Sequence, residues 1–360
     1  MSTHEYVTLG NSGLRVSPLC LGTMTFGEEW DFGSDVETSR RVIDAYLDWG
    51  GNFLDTANIY TKGHSEVVIG DHLGKDPAKR DRAVIATKFA GNMFRGDPNA
   101  GGMSRKAVID QCEHSLRRLQ TDYIDLYWLH FYDETTPIEE TMRALDDLVR
   151  DGKVRYVGFS DTPAWKCTQA QMFARAHGFT PLVALQVEYS LIERTPEGDL
   201  IPMSKEMGMG VTPWSPLAMG ILTGKYTREN IQNVDSRRDW VKDKVDERTL
   251  TIVDALLEVA RDADCTPAQA ALAWCRQREG VDSVIIGART MDQLESNLAS
   301  MDVTLTDKQI ETLDGPSKPD LNFPHQFLER VPTAVFGETT VDGVTGDEWN
   351  LGPKTDDERW

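Results

Sequence analysis

Asp55, Lys88, His130 and Ser160 each stand at or beside the end of a short apolar run, in NFLDTA, VIATKF, DLYWLH and VRYVGFS. Gln186 falls late in a fifth run, LVALQVEY, and Trp214 ends a sixth, GVTPW. A phenol, Tyr60, lies just beyond Asp55 in the string DTANIY. These residue types suit proton delivery to an oxygen that is gaining charge. A tyrosine, with an ordinary pKa of about 10, is protonated at neutral pH. An ammonium beside it favours the phenolate, and a carboxylate can fix that ammonium. Lys88 and Asp55 are placed to serve as that pair. His130 could donate a hydrogen bond to a carbonyl oxygen or relay its proton. Taken singly, each residue reads as an ion pair, a packing ring or a satisfied histidine. In this order, on successive strands, they read as an active site.

The elements that must bring them together follow from periodicity. A short hairpin, YVTLG–NSG–LRVS, opens the chain. After it, apolar runs four to eight residues long alternate with amphipathic segments. DVETSRRVIDAYLDWGG reads as a helix closed by a glycine pair, MSRKAVIDQCEHSLRRLQ as one capped by Ser104, and TPIEETMRALDDLVRDGK as one opened by a proline. DERTLTIVDALLEVARDA and TPAQAALAWCRQREG follow a polar interruption near residues 218–245, and DSVIIGA makes an eighth strand before MDQLESNLASM. Strands apolar on both faces belong to parallel sheets covered by helices. Eight strand–helix units between about residues 16 and 300 predict a closed (β/α)8 TIM barrel, whose strand ends share one rim. An open doubly wound sheet would want a G-x-G-x-x-G turn after an early strand, and none is present. We read one barrel domain over 1–315. Residues 316–360 form a C-terminal extension, either an ordered wrap over the barrel mouth or partly disordered.

The 360 residues carry a formal net charge of −20. That balance argues against a protein that binds nucleic acid or anionic membrane through clustered cations, though a phosphate-bearing cofactor would still need a local basic patch. There are five cysteines and no CxxC. Cys20, Cys112 and Cys275 sit in apolar contexts and read as buried small hydrophobes. No metal site and no structural disulfide is expected. The N-terminus lacks an apolar signal-like run, so the cytoplasm is the default compartment.

With LGTMTFG, NFLDTANIY, ATKF, DLYWLH, GKVRYVGFS, QVEYS, WSPLAMGILTGKY and IIGAR…QLESN in place, the chain resembles the aldo-keto reductases over about residues 5–300. The resemblance implies reduction of an aldehyde or ketone with NADPH, bound in extended form on the barrel. It makes Tyr60 the general acid, Lys88 and Asp55 its tuners, and His130 the orienter of the substrate carbonyl. For the cofactor it implies Gly22, Thr23, Met24 and Asp55 beside the nicotinamide, Ser160 and Gln186 near the carboxamide, and Trp214 stacked under the ring. Ser215, Pro216, Leu217 and Lys225 match the pyrophosphate side. Gly287, Arg289, Gln293 and Asn297 match the adenosine end, and Arg237 is counted among the cofactor residues. Arg289 is the cation that would read a 2′-phosphate. The sequence departs from the family pattern at Asp161 and Ser296, where many relatives carry Asn or Arg and Glu, respectively.

Trp30, Phe94 and Phe131 are the expected substrate-facing rings, on loops that supply specificity. A regulatory cofactor-binding subunit, like the channel β subunits related to this barrel, is the reading from another class. A reductase of nucleotide-linked deoxysugar ketones differs from the main reading only in substrate. Oligomeric state is open.

Overall fold

The computed structural model describes residues 5–230, 241 and 244–359. Eight parallel strands lie in one sheet in chain order. They are β1 (Leu19–Gly22), β2 (Phe53–Asp55), β3 (Val84–Phe89), β4 (Ile124–Leu129), β5 (Val154–Ser160), β6 (Leu182–Glu188), β7 (Gly210–Trp214) and β8 (Val284–Gly287). β8 pairs with β1, Gly287 against Gly22. The remaining seam, β7 to β8, is joined by the Val211–Val281 bridge and by Asp282 N donating to Val211 O at 2.9 Å. The predicted (β/α)8 barrel is the observed fold.

Alternation along the strands divides the core in two. Val84, Ala86, Leu126, Trp128 and Ala184 pack with Cys20, Phe53 and Ile285 inside the barrel. Their neighbours Ile85, Tyr127, Leu129, Val157, Phe159 and Leu185 pack outward against the helices. Side chains two apart on a strand share a face. The inner row therefore continues upward through Lys88, His130, Ser160 and Gln186. The N-terminal hairpin, Val7–Thr8 with Arg15–Val16, supplies Leu9 and Val16 to the inner cluster. Gly10 N donates to Asp282 Oδ2 at 2.8 Å, and Asn11 N to Gly208 O at 2.8 Å.

The helices begin where their caps allow. Asp35 accepts from Thr38 N for Val36–Trp49, which ends on left-handed Gly50. Ser104 accepts from Ala107 N for Arg105–Leu119. Pro137 stands just before the first helical residue of Ile138–Arg150. Thr266 and Gln269 form a reciprocal capping box for Pro267–Arg276. A helix at Asp307–Ser317 was not expected from periodicity, yet Thr306 and Gln309 form the same box there. It is pinned by Arg194 Nη1 to Asp314 Oδ1 at 2.8 Å and by Trp274 Nε1 to the same oxygen at 3.0 Å. The cysteines are free, and Cys20, Cys112, Cys167 and Cys275 are buried. Among the described residues no helix is long and apolar enough to cross a membrane.

Residues up to Lys318 form one compact unit and those from Pro319 a second. The second holds two short helices, His325–Leu328 and Val331–Phe336, and a hairpin of Thr340–Val341 with Val344–Thr345.

Gly158, in the middle of β5, is required by close approach. A Cβ there would lie 2.4 Å from the Trp128 ring and 2.9 Å from Ala184 O. Gly158→Ala should lower unfolding free energy by about 1–3 kcal/mol, the cost of overpacking a filled core. Urea denaturation reads this as a lower midpoint, and an unchanged midpoint would show that Trp128 yields freely.

Candidate active site

Strand ends place the polar residues, and a single ion pair organises them. Lys88 and Asp55 are buried on adjacent strands, β3 and β2. Lys88 Nζ donates to Asp55 Oδ2, to Thr56 O at 2.9 Å and to Tyr60 Oη at 3.0 Å. The three donor positions of the ammonium are thus filled by a carboxylate, a carbonyl and the phenol. The other carboxylate oxygen, Asp55 Oδ1, accepts from Gln186 Nε2 at 2.9 Å. Gln186, expected near a cofactor amide, is in this structure the residue that orients Asp55. Neither it nor Thr56 O is legible in this role without the fold.

Tyr60 opens a short turn, Tyr60–Gly63, in which Thr61 and Lys62 adopt left-handed backbone. That strained turn is tied down by hydroxyls. Thr61 Oγ1 donates to Phe26 O at 2.8 Å, and Ser65 N donates back to Thr61 Oγ1 at 2.9 Å. Ser65 Oγ meets Thr23 O at 2.8 Å and Thr56 Oγ1 at 3.0 Å. All four side chains are buried. They fix the phenol relative to β1 and β2.

His130 completes the group. Its ring lies edge-on to Tyr60, centroids 5.7 Å apart. Burial first, and the Lys88 ammonium second, press its pKa down to about 2. It is a neutral imidazole at any physiological pH. The same two influences divide on Tyr60. Burial pushes the phenol above its ordinary value and Lys88 pulls back only part of the way. The expectation that Lys88 lowers the Tyr60 pKa is therefore corrected: the pull is present, but desolvation outweighs it. For Lys88 itself, burial disfavours the ammonium, yet Asp55 and Tyr60 more than offset it and hold the pKa above the ordinary lysine value. The protein at neutral pH thus presents a protonated phenol, a fixed ammonium and a neutral imidazole side by side.

The other expected residues divide into those facing this group and those serving the scaffold. Trp30 stands edge-on to Tyr60 at 6.3 Å, and Phe131 stacks on His130 at 4.8 Å. Phe94 is not brought here by any of its contacts. It is exposed and packs on His114 of helix Arg105–Leu119. Thr23 is buried and spends its hydroxyl on Asp55 O and Ser65. Gly22 makes room for Ile285, whose Cγ2 would lie 2.7 Å from a Cβ. Met24 is exposed beside them.

Whether the mouth suits a dinucleotide can be judged from its polar atoms. Ser160 Oγ and His130 Nδ1 are buried without a hydrogen-bond partner. Each can be satisfied by a bound amide or carbonyl. Trp214 is half-buried at the end of β7. After it, Ser215, Ala218, Met219, Gly220 and Gly224 all have positive φ, with Pro216 buried and Leu217 half-buried between them. Lys225 is exposed at the end of this loop. On the neighbouring strand β8, nothing lies within 4 Å of a Cβ built on Gly287. Arg289 is exposed, and its guanidinium donates a long bond to Phe32 O at 3.3 Å. Gln293 Oε1 holds Arg289 N at 2.9 Å, and Asn297 Nδ2 holds Gly287 O at 3.0 Å. These two shape the Arg289 turn. Arg237 lies outside the described residues. An aromatic face, two orphaned polar atoms, an open glycine edge and two exposed cations fit an extended phosphate-bearing cofactor.

The chain is similar to proteins of one known family. The profile of the aldo/keto reductase family matches residues 18–317. A norsolorinic acid reductase of Aspergillus flavus is 34% identical over 360 aligned residues, covering 98% of this chain and 90% of the relative. The uncharacterized oxidoreductase YrpG of Bacillus subtilis is 38% identical over 315, covering 85% and 93%. An aryl-alcohol dehydrogenase [NADP(+)] of Phanerodontia chrysosporium is 34% identical over 332, covering 87% and 86%.

The buried pair generates a stability prediction. Lys88→Met leaves Asp55 charged in the barrel without its counter-ion, and should cost about 3–5 kcal/mol. Lys88→Met combined with Asp55→Leu removes both charges and should recover most of that loss. Chemical denaturation of wild type, single and double variants gives the comparison; a double variant no more stable than the single one would mean the loss comes from packing rather than charge.

Proposed function

Because the chain belongs to the aldo/keto reductase family, oxidoreductases that act on carbonyl compounds, we propose that it reduces an aryl aldehyde or ketone with NADPH, Tyr60 supplying the proton. The observation that carries this reading is the 3.0 Å contact between Tyr60 Oη and an ammonium that Asp55 holds in place. When bound at the Ser160–Trp214 end of the mouth, the nicotinamide would supply a hydride for the carbonyl carbon. The protein's part is to stabilise the charge that then gathers on the oxygen. Tyr60 transfers its proton to that oxygen, giving the alcohol. The phenolate left behind faces Lys88, so the ammonium is most stabilising after the proton has moved. Neutral His130 has an N–H to offer the carbonyl, which a charged imidazolium would deliver along with an unwanted proton. Solvent returns the proton to Tyr60.

Substrate and cofactor class rest on further observations. Trp30 and Phe131 flank Tyr60 and His130. Such a wall suits a flat aryl carbonyl, in keeping with relatives named for norsolorinic acid and aryl alcohols. Ser160 and Trp214 would receive the nicotinamide end, and Lys225 and Arg289 the phosphates. Arginine matches a phosphate with two parallel hydrogen bonds, which supports NADPH over NADH. The printed cofactor of the Phanerodontia relative points the same way.

Tyr60→Phe should lower kcat for 4-nitrobenzaldehyde reduction by about 10²–10⁴-fold, with the NADPH Kd nearly unchanged. Retention of more than half the wild-type kcat would remove Tyr60 from the role of acid.

Arg289→Ala should weaken NADPH and leave NADH nearly unaffected, since only NADPH carries the extra phosphate. Equal losses for both cofactors would show that Arg289 does not read that group.

A further inference from the structure

Asp161 follows the last residue of β5 and stands at the barrel mouth. Its backbone is left-handed, φ 44°, a conformation that aspartate and asparagine accept more readily than most residues. Its N–H donates to Gln186 O at 3.1 Å. These constraints set where its carboxylate goes: Trp214 Nε1 donates to Asp161 Oδ1 at 3.0 Å. That bond crosses from the end of β5 to the end of β7, over β6. It fixes the indole plane. It also polarises the indole, since a donor bonded to an anion passes electron density to its ring, and an electron-rich face attracts cations.

The charges around Asp161 are nearly all spent. Lys88 faces it but is paired with Asp55. Glu188, on the strand between, is paired with Lys244 at 2.9 Å. Tyr60, which also feels Asp161, is neutral. Among the described residues Asp161 itself has no ion pair. Among the described residues, then, the Asp161 carboxylate is an unmatched negative charge attached to an aromatic face.

We propose that Asp161 and Trp214 form a cation-binding pair that holds the oxidised, positively charged nicotinamide more tightly than the reduced, neutral one. This rests on the reading above in which the nicotinamide lies against Trp214. The two cofactor forms share every group except the ring, and the formal charge there is what a carboxylate beside it distinguishes. The consequence is directional. Tighter binding of the oxidised form makes the bound couple a stronger hydride donor, which favours reduction of the carbonyl and slows release of spent cofactor. The pair is also titratable. Residue 161 is exposed, so solvent screens it, but desolvation by the surrounding protein raises its pKa to about 6, against the hydrogen bond from Trp214 and the nearby Ser160 hydroxyl. The preference is present above that pH and fades below it as the carboxyl takes up a proton.

The test is equilibrium binding, read by tryptophan quenching or calorimetry, of NADP+ and NADPH to the full chain. The ratio of the two Kd values is followed from pH 8 to pH 5.5; ionisation of the 2′-phosphate, common to both forms, cancels in that ratio. In Asp161→Asn, which keeps the left-handed backbone and an acceptor for the indole, NADP+ affinity should fall about five- to tenfold at pH 8, in line with a partly screened charge pair. NADPH affinity should stay within about twofold. The wild-type ratio should drift with pH and the variant ratio should stay flat. Trp214→Phe, which keeps a ring but loses the N–H, should lose part of the same preference. Equal changes for both cofactors in Asp161→Asn, or a flat wild-type ratio, overturn the inference while leaving the reductase intact. Failure of the wild type to bind either form overturns the cofactor reading, and the inference with it.

Discussion

A lysine and an aspartate buried in the middle of a barrel are tolerable only because every bond they need is supplied. The ammonium of Lys88 has three donors and three acceptors around it. The carboxylate of Asp55 has an ammonium on one oxygen and an amide on the other. Remove any partner and a charge or a polar atom is stranded in a low-dielectric interior, where it costs far more than it would at a surface. That requirement dictates the neighbours. β2, β3 and β6 must end at matching heights, and Tyr60 must enter from the loop as the third acceptor. The phenol is thus drawn to the ammonium by the same bonding demand that keeps the barrel intact. The proposed proton delivery and the stability of the barrel would thus draw on one network.

The surroundings of the pair divide their labour by distance from it. Below, Trp128, Phe53 and Leu126 fill the barrel and exclude water. Above, Trp30 and Phe131 come from loops and pack against Tyr60 and His130, with Phe32 behind Trp30. The net charge of −20 is carried by the molecule as a whole. Anions must therefore be met by individual exposed cations, of which Arg289 and Lys225 stand along the rim.

Much of this was legible in the sequence because it is written in strand ends. The last inward residue of a parallel strand points into the barrel mouth, so Asp55, Lys88, His130 and Ser160 could be aligned without coordinates. What could not be read were relations between distant strands. Gln186 was visible as a polar strand-end residue, but its bond to Asp55 joins positions 131 apart in the chain. Phe94 looked like Trp30 and Phe131, an aromatic in a mouth loop, yet the long loop after β3 turns it onto His114. The Tyr60 shift was misjudged because charge proximity can be guessed from sequence and desolvation cannot. Helix Asp307–Ser317 carried a readable signal, Thr306 with Gln309, hidden by a weakly amphipathic stretch with a proline near its end. Asp161 stood out as a departure, but its bond to Trp214 crosses a strand and has no local signature.

The loop after β7 constrains the future of the sequence as well as its shape. Five of ten residues from Ser215 to Gly224 sit in left-handed backbone, three of them not glycine. β-Branched side chains are nearly barred from that region, whereas glycine, asparagine and aspartate enter it at little cost. Neutral drift at Ser215, Ala218 and Met219 is therefore channelled toward a small alphabet. Valine or isoleucine at these sites would carry a backbone cost beyond any lost contact, one that Thr61 bears only with its hydroxyl bonded to Phe26 O. The barrel's helices can diverge through conservative exchange, but this segment can change only along a narrow path, and its apparent permissiveness as a connection between elements is misleading.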